Sequence, residues 1–337
     1  MIIVTGGAGF IGSNIVKALG NLEKEIVVVD DLTDGRKFEN LLGSDVTDYV
    51  DKDTFLAAIL DRMESVPKKP ISAIIHNGAI SSTTSWDGKK VMAENYDYSK
   101  ILLEYCHRNN IPFIYASSAS VYGANKSSVE VPSNERPLNV YAYSKMLFDK
   151  YVREGKWNNR VVGLRYFNVY GPGEQFKGSQ ASPFFRYHKE LRYGKSVRVF
   201  EGGDGFGGDA KNTKRDFVYV DDVIRVVLWA LENEHPPNTE GIFNVGTGEC
   251  HTFEEVADLV IAHRLGEDWS NETLKSVFAT KEFEFIPYEL KGRSQPYTCA
   301  NLTKLREAGY KGKFLPIEEG CKRYMRWLDE NSSHRWD

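Results

Sequence analysis

Val4-Thr5-Gly6-Gly7-Ala8-Gly9-Phe10-Ile11-Gly12 joins a short apolar run, Ile2-Ile3-Val4, to a segment whose Ile11, Ile15, Val16 and Leu19 share one helical face. Gly7, Gly9 and Gly12 satisfy the G-x-G-x-x-G spacing, and Gly6, Gly9 and Gly12 recur every third residue. Glycine is needed where a turn is tight, where backbone approaches a pyrophosphate, and where helix packs on strand. The helix that follows offers backbone N–H groups and the positive end of its dipole to an anion. A second apolar run, Ile26 to Val29, ends at Asp30, 18 positions beyond Gly12. That is close to the ~20-residue spacing of the acid that meets an adenine ribose. Strand, glycine loop, helix, strand and acid together predict a dinucleotide-binding unit. A glycine-rich turn with no ligand would not require the acid.

Working outward, further apolar runs occur at Ala73-Ile74-Ile75, Phe113-Ile114-Tyr115 and Val161-Val162-Gly163-Leu164. Between them lie helix-length segments, Lys52 to Met63, Tyr96 to Arg108 and Tyr141 to Arg153. Short buried strands alternating with helices predict an α/β chain with a Rossmann-like, doubly wound parallel sheet. After Phe167 the pattern breaks into glycine-rich loops and scattered strand-like pieces, including Arg215 to Val220 and Phe243-Asn244-Val245. The expected division is a dinucleotide domain over 1–168, to which segments near 216–246 return, and a smaller C-terminal substrate domain over 169–337.

Composition sets the outer limits. The chain has 337 residues, room for about two domains, and a net charge of −4 from 43 basic and 47 acidic side chains. That balance lacks the basic stripe expected of a nucleic-acid binder. Cys106, Cys250, Cys299 and Cys321 form no C-x-x-C pair, which fits a reducing compartment better than a disulfide framework. The seven histidines show no H-E-x-x-H or paired-ligand spacing, so no metal is expected. No apolar run reaches the ~18 residues of a membrane span, and the first residues carry no basic n-region. The expectation is a soluble, cytoplasmic chain.

The choice between NAD and NADP stays open at the level of the residues. Asp30 favours NAD because a carboxylate repels a 2′-phosphate. Arg36 and Lys37 follow in the same loop, with Lys52 further on, and cations so placed suit a 2′-phosphate.

Chemistry is suggested further along. Tyr141 and Lys145 lie four apart in a helix-like segment, so their polar ends share a face. A nearby ammonium is expected to lower the phenol's pKa and suit it to take a proton from an alcohol. Ser118 stands at the carboxyl end of an apolar strand, where open α/β sheets place their ligands.

Glycine loop, strand-end serine and Tyr-x-x-x-Lys, in this order, resemble the extended short-chain dehydrogenase/reductase family. The resemblance covers nearly the whole chain. It implies Ser118, Tyr141 and Lys145 as the catalytic triad, with Lys145 also on the nicotinamide ribose. Five strings, 82–88, 165–172, 177–179, 200–202 and 215–220, are similar to the branch of the family that epimerises an ADP-activated heptose. That likeness implies one NADP per subunit, a homo-oligomer, and a nucleotide-sugar substrate, ADP-heptose. Lys177 matches the branch's second catalytic position and also its cofactor contact. For cofactor the resemblance implies Gly6, Gly9, Phe10, Ile11, Gly12, Asp30, Asp31, Leu32, Lys37, Lys52, Asn77, Gly78, Ala79, Ile80, Ser81, Lys145 and Val169. For the sugar nucleotide it implies Asn168, Ser179, Arg186, Phe200, Glu201, Gly202, Gly203, Arg215 and Ser294. Arg186 and Arg215 suit a pyrophosphate because guanidinium is a fork for phosphate oxygens. The stretches 202–214 and 263–284 are longer than the family pattern.

Three alternatives make different demands on the same chain. A UDP-hexose 4-epimerase would share the loop, Ser118, Tyr141 and Lys145 but has no need of Lys177. A 4,6-dehydratase would place Asp-Glu where this chain has Ala119-Ser120. A silent dinucleotide sensor would have no reason to keep Tyr141, Lys145 and Lys177 together.

Overall fold

The first strand, β1 (Ile2–Thr5), is buried along its whole length. It lies between β2 (Ile26–Asp30) and β4 (Ala73–His76), parallel to both. The computed structural model describes residues 1–60, 69–200, 213–232, 241–266 and 295–331, and the backbone of 283–286. Around β1 the main sheet runs β11-β6-β5-β4-β1-β2-β3 and is parallel throughout. The outer members are β3 (Asp48–Asp51), β5 (Phe113–Ser118), β6 (Val161–Tyr166) and β11 (Gly241–Val245).

Alternation along β1 gives the sheet two covered faces. Ile2 and Val4 join a core with Ile15, Val16 and Leu19 of α1 (Phe10–Gly20) and Val223, Val226 and Val227 of α7 (Val220–Leu231). Ile3, between them in sequence, points to the other face. There it packs with α2 (Lys52–Leu60), α4 (Tyr98–Arg108) and α5 (Val140–Glu154) through Phe55, Leu102, Leu103 and Phe148. Ahead of α4, α3 (Gly88–Met92) runs through a π-helical turn, Ala93–Asp97. Among the described residues no helix is long and apolar enough to cross a membrane.

A second hydrophobic cluster forms where the chain leaves this sheet. It joins α6 (Pro183–Arg192), β8 (Val197–Phe200), α8 (Phe253–Leu265) and the final helix through Phe184, Tyr187, Val197, Val256, Val260, Tyr324 and Leu328. Small pairings stitch it to the main sheet. They are β7 (Asn168–Tyr170) with β10 (Phe217–Tyr219), and β9 (Lys214–Arg215) with β12 (His251–Thr252). Another, β13 (Phe283–Ile286), runs parallel to β8. The chain closes with α9 (Thr303–Glu307) and α10 (Ile317–Asn331).

Helix α5, which carries Tyr141 and Lys145, is anchored by buried charge. Arg165 of β6, wholly buried, donates to Asp149 at 2.9 Å and also pairs with Glu135. Arg153 grips Glu135 with two bonds, at 2.8 and 2.9 Å. Tyr115 and Ser117 of β5 each donate to Asp149 at 2.9 Å. Every oxygen of this aspartate therefore has a partner, the condition under which a buried charge is tolerated. The network fixes the rotation of α5 on the sheet and so the direction in which its first turn faces.

Candidate active site

The glycine loop turns because larger residues do not fit. Gly6 has φ +66°, and a Cβ there would lie 2.6 Å from the Gly78 nitrogen. A Cβ on Gly12 would stand 2.0 Å from the Gly6 carbonyl. The loop thus holds backbone against backbone at the adjoining ends of β1 and β4, where the strand order reverses and open sheets bind ligands. Helix α1 starts at Gly9 with no side-chain cap and no acid in its first turn, an arrangement suited to an anion. These features fit a dinucleotide pyrophosphate.

Asp30 stands at the end of β2, as the spacing requires, and is held by the protein. Its Oδ2 accepts from the Ala8 amide at 2.7 Å. Its Oδ1 accepts from the Asp31 amide at 2.7 Å and from Lys37 Nζ at 2.8 Å. The three cations suggested for a 2′-phosphate all have acidic partners here. Lys37 pairs with Asp30, Arg36 grips Asp34, and Lys52 lies 2.9 Å from Glu94 and 3.1 Å from Asp53. Lys37 also donates to the Asp31 carbonyl. Asp31 itself is turned to Thr33, whose amide it accepts at 2.8 Å, and the Thr33 side chain, followed by that amide, holds its carboxyl below the usual range. Leu32 follows, half-buried.

At the end of β4 the run Asn77 to Ser81 passes the loop. Thr5 Oγ1 accepts from the Gly78 amide at 3.3 Å and shares a 2.6 Å bond with His76 Nδ1. Burial, aided by the Lys145 charge, pushes His76 down to about 3, so it is neutral. Asn77 accepts from the Tyr166 hydroxyl at 3.3 Å.

Ser118, Tyr141 and Lys145 meet at the carboxyl end of β5. Asn139 caps α5 by accepting from the Ala142 amide at 2.9 Å, which places Tyr141 in the first turn. The Tyr141 phenol lies under the influence of Ser118. Ser118 in turn accepts from the amide of Ser120 at 3.1 Å and its hydroxyl at 2.9 Å. Lys145 Nζ donates to the Ala116 carbonyl at 2.8 Å, and burial pushes its pKa down to about 8, Asp149 opposing the shift. The Tyr141 phenol differs from the expected lowering by Lys145. Burial raises its pKa, and Ser118 is the group that pulls the other way. The lysine's ammonium is turned to a carbonyl, and the serine rather than the lysine eases the charge on the phenol.

A strap over 171–182 crosses the glycine loop. Asn14 of α1 donates to the Pro172 carbonyl at 2.8 Å, and Asn40 donates to both Ala8 and Gly173 carbonyls, at 3.1 and 3.2 Å. Ser81 donates to Gln180 at 3.1 Å. The strap lays Lys177 Nζ 5.2 Å over the Phe10 ring. Burial lowers the pKa of this lysine while the charge of Glu174 raises it. Ser179 is exposed on the turn that follows, and Ile11 is half-buried beneath the loop.

The substrate positions are more spread. Arg186 stacks at 4.3 Å on Phe200 and donates to the Arg198 carbonyl at 2.9 Å. Arg215 is buried against Phe253 and donates to the Lys214 and Pro296 carbonyls, at 3.0 and 2.9 Å. Asn168 accepts from Thr298 at 3.3 Å, and Val169 pairs with Val218 across the small sheet. Glu201, Gly202, Gly203 and Ser294 lie outside the described residues, as does most of the two stretches longer than the family pattern.

Two residues were not singled out from the sequence. Asn95, wholly buried in the π-helical turn, accepts from the Ile80 amide at 2.8 Å and donates to the Ile80 carbonyl at 3.0 Å and to Ser144 at 3.1 Å. It ties the β4 end to α5. Its signal was available: Asn95, Ser99 and Leu102 fall at i, i+4 and i+7, a polar pair on a buried face. The other is Glu174, buried under the strap.

Comparison with known proteins follows the same lines. The model of the NAD dependent epimerase/dehydratase family matches residues 2–246. The crystal structure of Helicobacter pylori ADP-L-glycero-D-manno-heptose-6-epimerase superposes with a TM-score of 0.78 at 29% identity, covering 97% of this chain and 96% of the other. UDP-glucose 4-epimerase from Thermotoga maritima, solved with UDP-glucose, gives 0.76 at 27% identity, covering 98% and 99%. UDP-glucuronic acid 4-epimerase from Bacillus cereus, solved with UDP-glucuronic acid and NAD, shares the fold at 24% identity, with a TM-score of 0.76 and coverage of 98% and 99%.

Proposed function

The chain belongs to the NAD dependent epimerase/dehydratase family, and on that premise we propose that it is an ADP-L-glycero-D-manno-heptose 6-epimerase working with bound NADP. The observation that carries the heptose reading is Lys177. Its ammonium lies over Phe10, at the start of the helix that faces the pyrophosphate, a second amine that a 4-epimerase with Tyr141 alone does not need. The likeness to the Helicobacter pylori enzyme supports the same choice.

Inversion of a carbinol centre takes one proton off its hydroxyl and returns one to the oxygen from a different direction. A bound nicotinamide would supply the hydride chemistry, taking hydride from C6″ and giving it back to the opposite face. Tyr141, under the influence of Ser118, takes or gives the hydroxyl proton in one orientation of the sugar. Lys177 does so in the other. Lys145, anchored on Ala116, would meet the nicotinamide ribose. The glycine loop and the start of α1 hold the pyrophosphate, with Asn77 to Ser81 along the nicotinamide half. Arg186 and Arg215 carry the ADP phosphates, alongside Asn168 and Ser179.

The expected result with ADP-D-glycero-D-manno-heptose is inversion at C6″, followed by NMR, with UDP-galactose left unchanged. Turnover of UDP-galactose without turnover of the heptose would overturn the reading in favour of a UDP-hexose 4-epimerase, the activity named for the Thermotoga maritima relative.

Asp30 bears on the cofactor. With its carboxylate neutralised by Lys37 and filled by two backbone amides, its repulsion of a 2′-phosphate is offset. Lys37 and Lys52 are the cations nearest to hand, each able to exchange a carboxylate for a phosphate. Protein purified without added nucleotide and then denatured is expected to release NADP, identified by mass. Release of NAD alone refutes this.

A further inference from the structure

Glu174 is a carboxylate with no solvent exposure, and its side chain bonds to none of the cofactor or sugar contacts named above. Its carboxylate is held from within the strap. One oxygen accepts from the Ser182 hydroxyl at 2.6 Å and the Gly171 amide at 3.3 Å, and the other accepts from the Ser182 amide at 2.6 Å. Its own carbonyl accepts from the Lys177 amide at 3.0 Å, closing the turn that carries the lysine, and the Lys177 carbonyl accepts from Gln180 at 3.1 Å. Ser182 is the N-cap of α6, accepting from the Phe185 amide at 3.4 Å. The acid therefore staples both ends of the segment bearing Lys177 to a helix start.

We propose that Glu174 is the positioning residue for Lys177, fixing the strap's turn and placing a negative charge near the ammonium. This rests on the reading of Lys177 as the second proton-handling group. The surroundings single out Glu174. From α1 the lysine meets the Phe10 ring, and from the β4 end the strap meets the neutral Ser81. Arg36 lies over Phe176 but is neutralised by Asp34, and Lys37 by Asp30. From α10 the nearest titratable group is the Tyr324 phenol, which burial and the Glu174 charge keep neutral. Burial draws the Lys177 pKa down and Glu174 draws it back up. An ammonium kept charged by a buried acid gives a proton, and without that charge the site would hold a free amine.

The test measures Lys177 directly and needs no substrate. The full-length protein is acetylated with acetic anhydride across a pH series, and the Lys177 peptide is quantified by mass spectrometry. In Glu174→Gln the labelling midpoint is expected at lower pH, with labelling near neutral pH about tenfold faster, the scale of one lost opposite charge. The limb of the kcat profile that reports Lys177 moves the same way. Ser182→Ala removes the hydroxyl bond but keeps the charge, and its midpoint stays at the wild-type value. Glu174→Asp restores the charge one methylene further back and returns the midpoint most of the way. A folded Glu174→Gln with an unmoved midpoint overturns the proposal. Should that variant not fold, Ser182→Ala decides: a midpoint displaced from the wild-type value in that variant, whose charge is intact, overturns the proposal instead. If the midpoint shifts as expected but wild-type protein turns over no nucleotide sugar, the positioning role stands and the functional reading falls.

Discussion

Tyr141→Phe is expected to slow epimerisation about 10³-fold while cofactor stays bound, the scale of a lost general acid or base. The phenol is the group on α5 whose pKa Ser118 draws down, and phenylalanine keeps its ring and packing while deleting only the hydroxyl. Asn139 still caps the helix, and the Arg165 network still fixes its rotation. Fold and pyrophosphate contacts are therefore unaffected, so the loss falls on kcat. Two measurements settle it: C6″ inversion followed by NMR, and cofactor content after purification. Near-normal turnover sinks the assignment of Tyr141.

Lys177→Met is expected to cost about 10²-fold or more in turnover while the protein stays folded. Among the described residues the ammonium makes no side-chain hydrogen bond, and it is drawn out of water over an aromatic ring. Methionine keeps the length, loses the desolvation cost and makes favourable contact with that ring. A role limited to packing would thus leave activity intact. A role in proton handling removes one face of the inversion and leaves the other. Full activity in a well-folded variant would end the two-group mechanism.

What could be read from the sequence depended on how local the cause was. The glycine loop was legible because steric exclusion at Gly6 and Gly12 acts within a few residues and leaves a spacing behind. The buried strands announced themselves as apolar runs. Edge strand β3, Asp48–Asp51, did not, because its mostly exposed side chains give no apolar run to find. Neither did the pairing of β7 with β10, three residues each, in which Asn168 meets Phe217 from far along the chain. The cations at 36, 37 and 52 were visible as charges but not as partners. Lys52 finds Glu94, which is 42 residues away, and only the packed chain brings them together. The phenol's pKa went the same way: helical spacing placed Lys145 beside Tyr141, but the carbonyl of Ala116 on β5 decided where that ammonium points.

The strap bears on how long a dinucleotide stays. One that lay along Gly6 and Gly12 would sit beneath residues pinned by Asn14, Asn40 and Ser81. Its off-rate would then depend on how often those three anchors release together. A catalyst that ends each cycle with its hydride carrier restored gains from slow exchange, since the carrier never has to be reloaded. Exchange would be governed by the strap's opening rate, a property of Asn14, Asn40 and Ser81 that leaves the chemistry at Tyr141 untouched.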